Sequence, residues 1–241
     1  MYSDVFCKVY NELGWNVYPE VFAEDLLLWL ERNQVKVEKA MDLACGTGIL
    51  CRILQQHGIS SAGMDFSEGM IAVARQNAPQ IPFEVADMVT FCPREQYDLV
   101  TCTGDALNHI PSLSDVGRIF SNVNCYLKPG GYLIFDILNQ HEGEACEPFE
   151  VDFGDSQRIW FQMSRPAEGQ VHLQIRLYEH DVMRFEENIR ETIHDPAVIC
   201  RMLEGCGFTV LRCADRLLDE RNPSTTCYVV ARKGVGPNAG N

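Results

Sequence analysis

The sequence predicts an α/β fold: a seven-stranded, mostly parallel sheet with helices on both faces, plus a small antiparallel β insert. Three patterns predict it. Between residues 39 and 137, short apolar runs alternate with amphipathic stretches across short connections, which is the signature of parallel strands and crossover helices. Met41-Asp-Leu-Ala-Cys-Gly-Thr-Gly48 passes from an apolar run through two glycines into the amphipathic segment Ile49 to His57, and reads as strand, tight turn, helix. Residues 149 to 194 switch to a period of two, the mark of strands with one buried face.

Tyr2 to Tyr18 is rich in aromatics, and Pro19 suits the first position of a helix that carries apolar residues from Val21 to Leu30 and ends near Arg32. Strands are expected near 39–44, 61–65, 81–86, 97–102 and 131–137, and helices near 48–57, 68–77 and 113–127. In the insert, Val171, Leu173, Ile175 and Leu177 alternate with His172, Gln174, Arg176 and Tyr178. Ile159, Phe161 and Met163 alternate with polar or amphipathic neighbours in the same way, and Pro166 to Gly169 reads as the turn between the two strands. Three or four antiparallel strands follow from this. Asp195-Pro196 opens a helix to about Gly205, with Asp195 as its cap. Phe208 to Arg216 and Thr225 to Arg232 close the sheet as a hairpin. The expected organisation is one domain, 1–233, with an aromatic segment and helix at 1–35, the insert at 149–194, and a tail at 234–241.

A chain of 241 residues, 46% hydrophobic, buries one full core. Its net charge of −14 argues against nucleic acid, because phosphate binding draws on Lys and Arg. The 11 cysteines are scattered, form no C-x-x-C pair and accompany no signal peptide, so they read as reduced packing thiols of a cytoplasmic protein, with no metal site. The longest apolar run near the N-terminus, Leu26 to Leu30, is too short to cross a membrane.

Glycines at 46 and 48 let main-chain N–H groups approach a ligand at a helix N-terminus. Asp65 ends the next apolar run, 19 residues after Gly46, close to the ~20-residue offset of a carboxylate that binds ribose hydroxyls. A nicotinamide or flavin fingerprint needs a third glycine where Cys51 stands, so that reading loses weight.

Five landmarks fall in order: Asp42 with Gly46-Thr-Gly48, Asp65, Asp87 in Val85-Ala-Asp-Met88, Tyr97-Asp-Leu-Val-Thr-Cys102, and Lys128-Pro-Gly-Gly131 before an apolar strand. On these the chain resembles the class I, Rossmann-like S-adenosylmethionine (SAM)-dependent methyltransferases over roughly residues 1 to 233. The aromatic N-terminal segment and the insert after the fifth strand are similar to glycine N-methyltransferase and the sugar-amine N,N-dimethyltransferases. The resemblance implies SAM as cofactor. Gly46 and Gly48, with Ala44 and Cys45 leading into them, would hold its methionine part, and Asp42 its ammonium. Asp65 would bind the ribose diol and Asp87 the adenine amino group, with the main chain at Met88 on a ring nitrogen. Phe66 and Met70 would flank the adenine, although plain core packing accounts for them equally well. Tyr10 and Tyr18 resemble aromatics that reach the SAM carboxylate or the acceptor, or they staple the segment to the sheet. Cys102 and Thr103 would close the cofactor side of strand four.

The acceptor pocket is expected to follow, with Asp105, Asn108 and His109 as candidate catalytic residues. His109 suits a general base because it titrates near neutrality. Asn108 and His109 equally suit a cap on the helix that starts near Ser112. The Asn/Asp-Pro-Pro-Tyr motif of nucleobase and glutamine amino-methyltransferases is absent, and Cys92-Pro93 lies before strand four rather than after it. The function expected is methyl transfer to nitrogen or oxygen of a small soluble molecule. A SAM-binding regulatory or partner protein without transfer activity is the second class, and an RNA methyltransferase a weaker third. The polar face of the insert, with Trp160, Arg176, Tyr178 and His180, suits water, a second copy of the chain in a homodimer, or the pocket. The insert as a whole is expected to cover the acceptor pocket.

Overall fold

The computed structural model describes residues 2–138, 146–153, 156–218 and 226–235. The expected tail lies outside the described residues beyond Val235. Two helices, α1 (Asp4–Val9) and α2 (Val17–Arg32), precede an alternating series. It runs β1 (Lys39–Leu43), α3 (Ile49–Gln56), β2 (Ser60–Asp65), α4 (Glu68–Asn77), β3 (Phe83–Val85), β4 (Tyr97–Cys102), a 3₁₀ turn (Ala106–His109), α5 (Leu113–Tyr126) and β5 (Leu127–Leu138). Four strands form the insert: β6 (Cys146–Phe153), β7 (Gln157–Ser164), β8 (Gln170–Glu179) and β9 (Val182–Thr192). Then come α6 (Pro196–Gly205), β10 (Phe208–Ala214) and β11 (Thr226–Lys233).

The main sheet has the order β10-β11-β5-β4-β1-β2-β3. Five strands are parallel, while β11 runs antiparallel to β5 and β10. The chain builds outward from β1 through β2 and β3, then returns to place β4 on the other side. The sheet therefore has its switch point between β1 and β4, where open α/β sheets form a ligand crevice at the carboxyl ends of the strands. Central strands are buried throughout, as Ala40 to Leu43 and Leu99 to Cys102 show. Helix α5 buries Val116, Ile119, Phe120 and Val123, the i, i+3, i+4, i+7 stripe of a helix packed on a sheet. Helix caps follow the sequence: Ser67, Ser112 and Asp195 each accept a main-chain N–H of the turn they open. Helix α2 starts two residues before the expected position, so Pro19 sits inside its first turn, where an N–H has no intrahelical partner to lose.

The insert is a separate four-stranded antiparallel sheet in the order β6-β7-β8-β9. Its apolar face finds the partner its periodicity demands: Ile159, Ile175, Leu177 and Phe185 pack with Phe6 and Cys7 of α1 and with Met70 of α4. The opposite face carries the charges. Arg176 pairs with Glu186 and stacks 4.3 Å over the Trp160 ring, and Arg158 stacks on Tyr178. Trp160, Arg176 and Tyr178 therefore point away from the crevice, as does His180 at the β8–β9 turn; none of the four lines the cavity described next.

Candidate active site

The crevice is a cavity of about 910 Å³, near the upper end of small-molecule sites. Its floor is the carboxyl ends of β1, β2 and β4, one wall is α1 and the start of α2, and its cover is β8 and β9 of the insert.

The turn after β1 is shaped by three positive φ angles, at Ala44 (53°), Gly46 (52°) and Gly48 (76°). A Cβ at Gly48 would lie 2.7 Å from the Phe83 ring, so only glycine fits there. A Cβ at Gly46 would meet nothing within 4 Å, so the main chain at that point faces open space. The Asp65 carboxylate fixes the turn from the next strand: Oδ2 accepts the Gly46 N–H at 2.9 Å and Oδ1 the Ser67 N–H at 2.8 Å. Each oxygen keeps a lone pair for a further donor. Burial pushes the Asp65 pKa up, and these N–H bonds pull it back.

Asp42 lies deeper, 3% exposed, where its Oδ1 accepts the Thr101 hydroxyl at 2.7 Å. Burial pushes its pKa up to about 7, against the pull of that hydrogen bond. A buried carboxyl in this range calls for a cationic partner. Asp87 is exposed at the rim, with Oδ1 accepting the Val89 N–H at 2.9 Å.

Past β4, Gly104 and Asp105 turn with φ of 72° and 58°. Both N–H groups donate to Asp136 on β5, at 2.9 and 3.0 Å. Asp136 is fully buried beneath them, and the nearby Asp105 carboxyl raises its pKa further on top of burial. His109 faces β9, with Nε2 3.8 Å from Glu191 Oε1 and its ring edge-on to Tyr2. Burial lowers its pKa, so the imidazole is neutral at pH 7.

Of the residues expected from sequence, Tyr10, Tyr18, Asp42, Ala44, Cys45 and Gly46 line the cavity, as do Asp65, Phe66, Met70, Asp87 and Met88. Thr103, Asp105 and His109 line it as well. Gly48, Cys102 and Asn108 do not line it. Gly48 shapes the turn, and Cys102 is 1% exposed among the core side chains of the sheet. Asn108 is a correction. It is fully buried, its amide donates to the Thr192 carbonyl at 2.8 Å, and its carbonyl accepts the Leu138 N–H at 3.0 Å. Its polar atoms pin the turn to β5 and β9, and its burial keeps it out of the cavity.

Residues 40–131 match the family described as "Methyltransferase domain". Over that stretch the chain is similar to methyltransferases. It is 28% identical over 217 residues to YqeM of Bacillus subtilis, which is named as a methyltransferase, covering 86% of each chain. In fold it resembles a SAM-dependent methyltransferase from Clostridium acetobutylicum (TM-score 0.79, 21% identity, 88% of this chain and 90% of that one). It also resembles CalS10, an amino pentose methyltransferase from Micromonospora echinaspora solved with SAM bound (TM-score 0.76, 19% identity, 97% and 98%).

The residues of the cavity fit that cofactor. The open face of the Gly46 turn leaves room for the cofactor's methionine part against the main chain, and Asp65 is held at the cavity edge by its main-chain N–H bonds. Asp42 presents a buried carboxyl that an ammonium would neutralise. No described helix is long and apolar enough to cross a membrane. Sequence reasoning missed Tyr2, Trp15, Glu187 and Glu191 as cavity residues, and Asp136 beneath them. Two signals were present. In Phe185-Glu-Glu-Asn-Ile-Arg-Glu191, the face that starts apolar carries Glu187 and Glu191, which a packed core does not accept. Asp136 is the one acid in the apolar run Tyr132 to Leu138.

Proposed function

We propose that this methyltransferase moves the methyl group of SAM to the nitrogen of a small, amine-bearing molecule. The acidity of the cavity supports this reading. Six carboxylates line it (Asp42, Asp65, Asp87, Asp105, Glu187 and Glu191), against a single Lys or Arg among the described residues, Arg190. Alternation along β9 puts Arg190 on the exposed face, opposite Glu187 and Glu191. SAM occupies Asp42, Asp65 and Asp87 in this assignment. Asp105, Glu187 and Glu191 then remain on the acceptor side, where their negative field favours a protonated amine over an uncharged alcohol.

SAM supplies an electrophilic methyl when bound. The chain contributes position, exclusion of water and a site for the proton that the amine gives up. An acceptor with an amino group is also what the name of CalS10 describes for that protein. Methyl-tritiated SAM, offered with amino sugars, amino acids and diamines and with their hydroxyl counterparts, tests the proposal. Label in the amines is the expected result. Label only in hydroxyl compounds would overturn the assignment to nitrogen.

A further inference from the structure

The turn after β4 contains a pair of carboxyls that the cavity exposes at one end only. Asp105 lines the cavity, while Asp136 is fully buried under the same turn. Both Asp136 oxygens are occupied by the N–H groups of Gly104 and Asp105. The two carboxyls lie close enough to perturb each other's ionisation. Asp105 holds a left-handed backbone, φ 58°, an uncommon state for a residue with a side chain. The strand that delivers it, β4, lies next to β1, whose end carries Asp42 and the glycine turn.

We propose that Asp105 accepts the proton of the acceptor ammonium before methyl transfer, and that Asp136 is the positioning residue that holds it there. This rests on the amine reading above. The ammonium R–NH₃⁺ gives one proton to the Asp105 carboxylate and becomes R–NH₂. Its lone pair forms the new C–N bond to the methyl carbon. The C–S bond breaks with its electron pair going to sulfur, leaving S-adenosylhomocysteine and R–NH₂CH₃⁺. The proton on Asp105 passes to solvent.

The pair suits this task because two close carboxyls do not ionise together. Burial and the charge of Asp105 push the Asp136 pKa well above the carboxylate range. Asp136 therefore keeps its proton, and Asp105 is the one that ionises, with a pKa raised by its own burial. A carboxylate raised in this way is a stronger proton acceptor than one in water. The ionisable groups facing the pair are Tyr18 on α2, Tyr10 after α1, the Cys102 thiol on β4, and Tyr228 and Cys227 on β11. None of these is a cation that would hold both carboxyls ionised.

The test uses the full-length enzyme, saturating SAM and the amine with the highest turnover in the labelled panel. In Asp105→Asn the turn survives, because Asn tolerates a left-handed backbone. Asp105→Gly removes the side chain and also fits that backbone. We expect both to lower kcat by roughly 10²-fold or more, the scale of a lost general base, and to abolish the acid limb of the kcat–pH profile. SAM affinity should change less than about threefold, below the loss of one hydrogen bond. Asp136→Asn should move the limb by about one pH unit or more. A purely structural role would lower the melting temperature and leave the limb in place. Retention of kcat within about twofold and of the limb in both Asp105 variants would overturn the proposal, since a base is worth at least ~10². No transfer from the wild type to any amine, with SAM still bound, would overturn the amine reading instead.

Discussion

The Asp65 carboxylate on β2 accepts the Gly46 N–H at 2.9 Å across 19 residues of chain, so the residue proposed to bind the cofactor's ribose also braces the glycine turn. Replacing Asp65 with Ala therefore removes two things: an acceptor for the ligand and a strut for the loop. A charge-assisted hydrogen bond is worth about 1.5–3 kcal/mol, so SAM affinity should fall roughly 10- to 150-fold. Calorimetric titration of the variant checks this, and unchanged affinity would place the ribose elsewhere.

With Asp42 as the proposed partner of the SAM ammonium, SAM binding should depend on pH. Its pKa, about 7 in the folded chain against 3.8 for the free group, means that the native state holds this proton more tightly than the unfolded state. That contribution to stability is full below the unfolded value and is lost as pH rises through about 7. Asp42→Asn removes the loss, so it should melt higher than wild type near pH 8, with the difference shrinking toward acid. Binding runs the other way. In the proposed assignment the SAM ammonium pairs with the carboxylate, so wild-type affinity should weaken by up to about tenfold per unit as pH falls below 7. The Asn variant should bind weakly at every pH.

Ala44 holds φ 53° beside two glycines that hold the same sign. A left-handed residue with a Cβ costs about 1–2 kcal/mol, part of which glycine returns as chain entropy in the unfolded state. Ala44→Gly should therefore stabilise the protein by about 0.5–1 kcal/mol, raising the melting temperature by about 1–4 °C for a chain of this size. Differential scanning calorimetry measures it.

Glu191→Gln keeps the shape of the cover over His109 and removes its charge. Acceptor KM should rise about tenfold for amines while the SAM dissociation constant stays put, because the side chain faces the acceptor side. A change in SAM affinity with no change in KM would reverse that assignment.

Asn108→Ala strands the Leu138 N–H and the Thr192 carbonyl inside the protein. Each buried polar group left unpaired costs about 1–3 kcal/mol, so the melting temperature should drop by several degrees. A thermal melt within a degree of wild type would show that water replaces the amide.

The sheet and the cofactor half of the site could be read from the sequence because their signals are local. The run from Met41 to Gly48 encodes strand, turn and helix start within eight residues, and Asp65 follows at the next strand end. The acceptor half was less legible because its meaning depends on distant partners. Asn108 reads as a polar residue in a pocket loop until Thr192, 84 residues later, takes its amide. Glu187 and Glu191 acquire their role only when the insert folds over α1, which decides which face of β9 meets the cavity. Asp136 was visible as an acid in an apolar strand, but nothing in the sequence links it to the turn 31 residues earlier whose N–H groups it receives.

The contacts that close the site span most of the chain: Ser3 with Glu187 across 184 residues, and Tyr18 with Tyr228 across 210. Such long loops close late, because their entropy is lost before any contact repays it. During synthesis the glycine turn and Asp65 emerge early, yet the walls around them wait for β9 and β11. Cofactor capture by this protein thus reports completed folding rather than a formed motif. A destabilising substitution far from the cavity, in the final hairpin for example, should lower cofactor occupancy in step with the folded fraction.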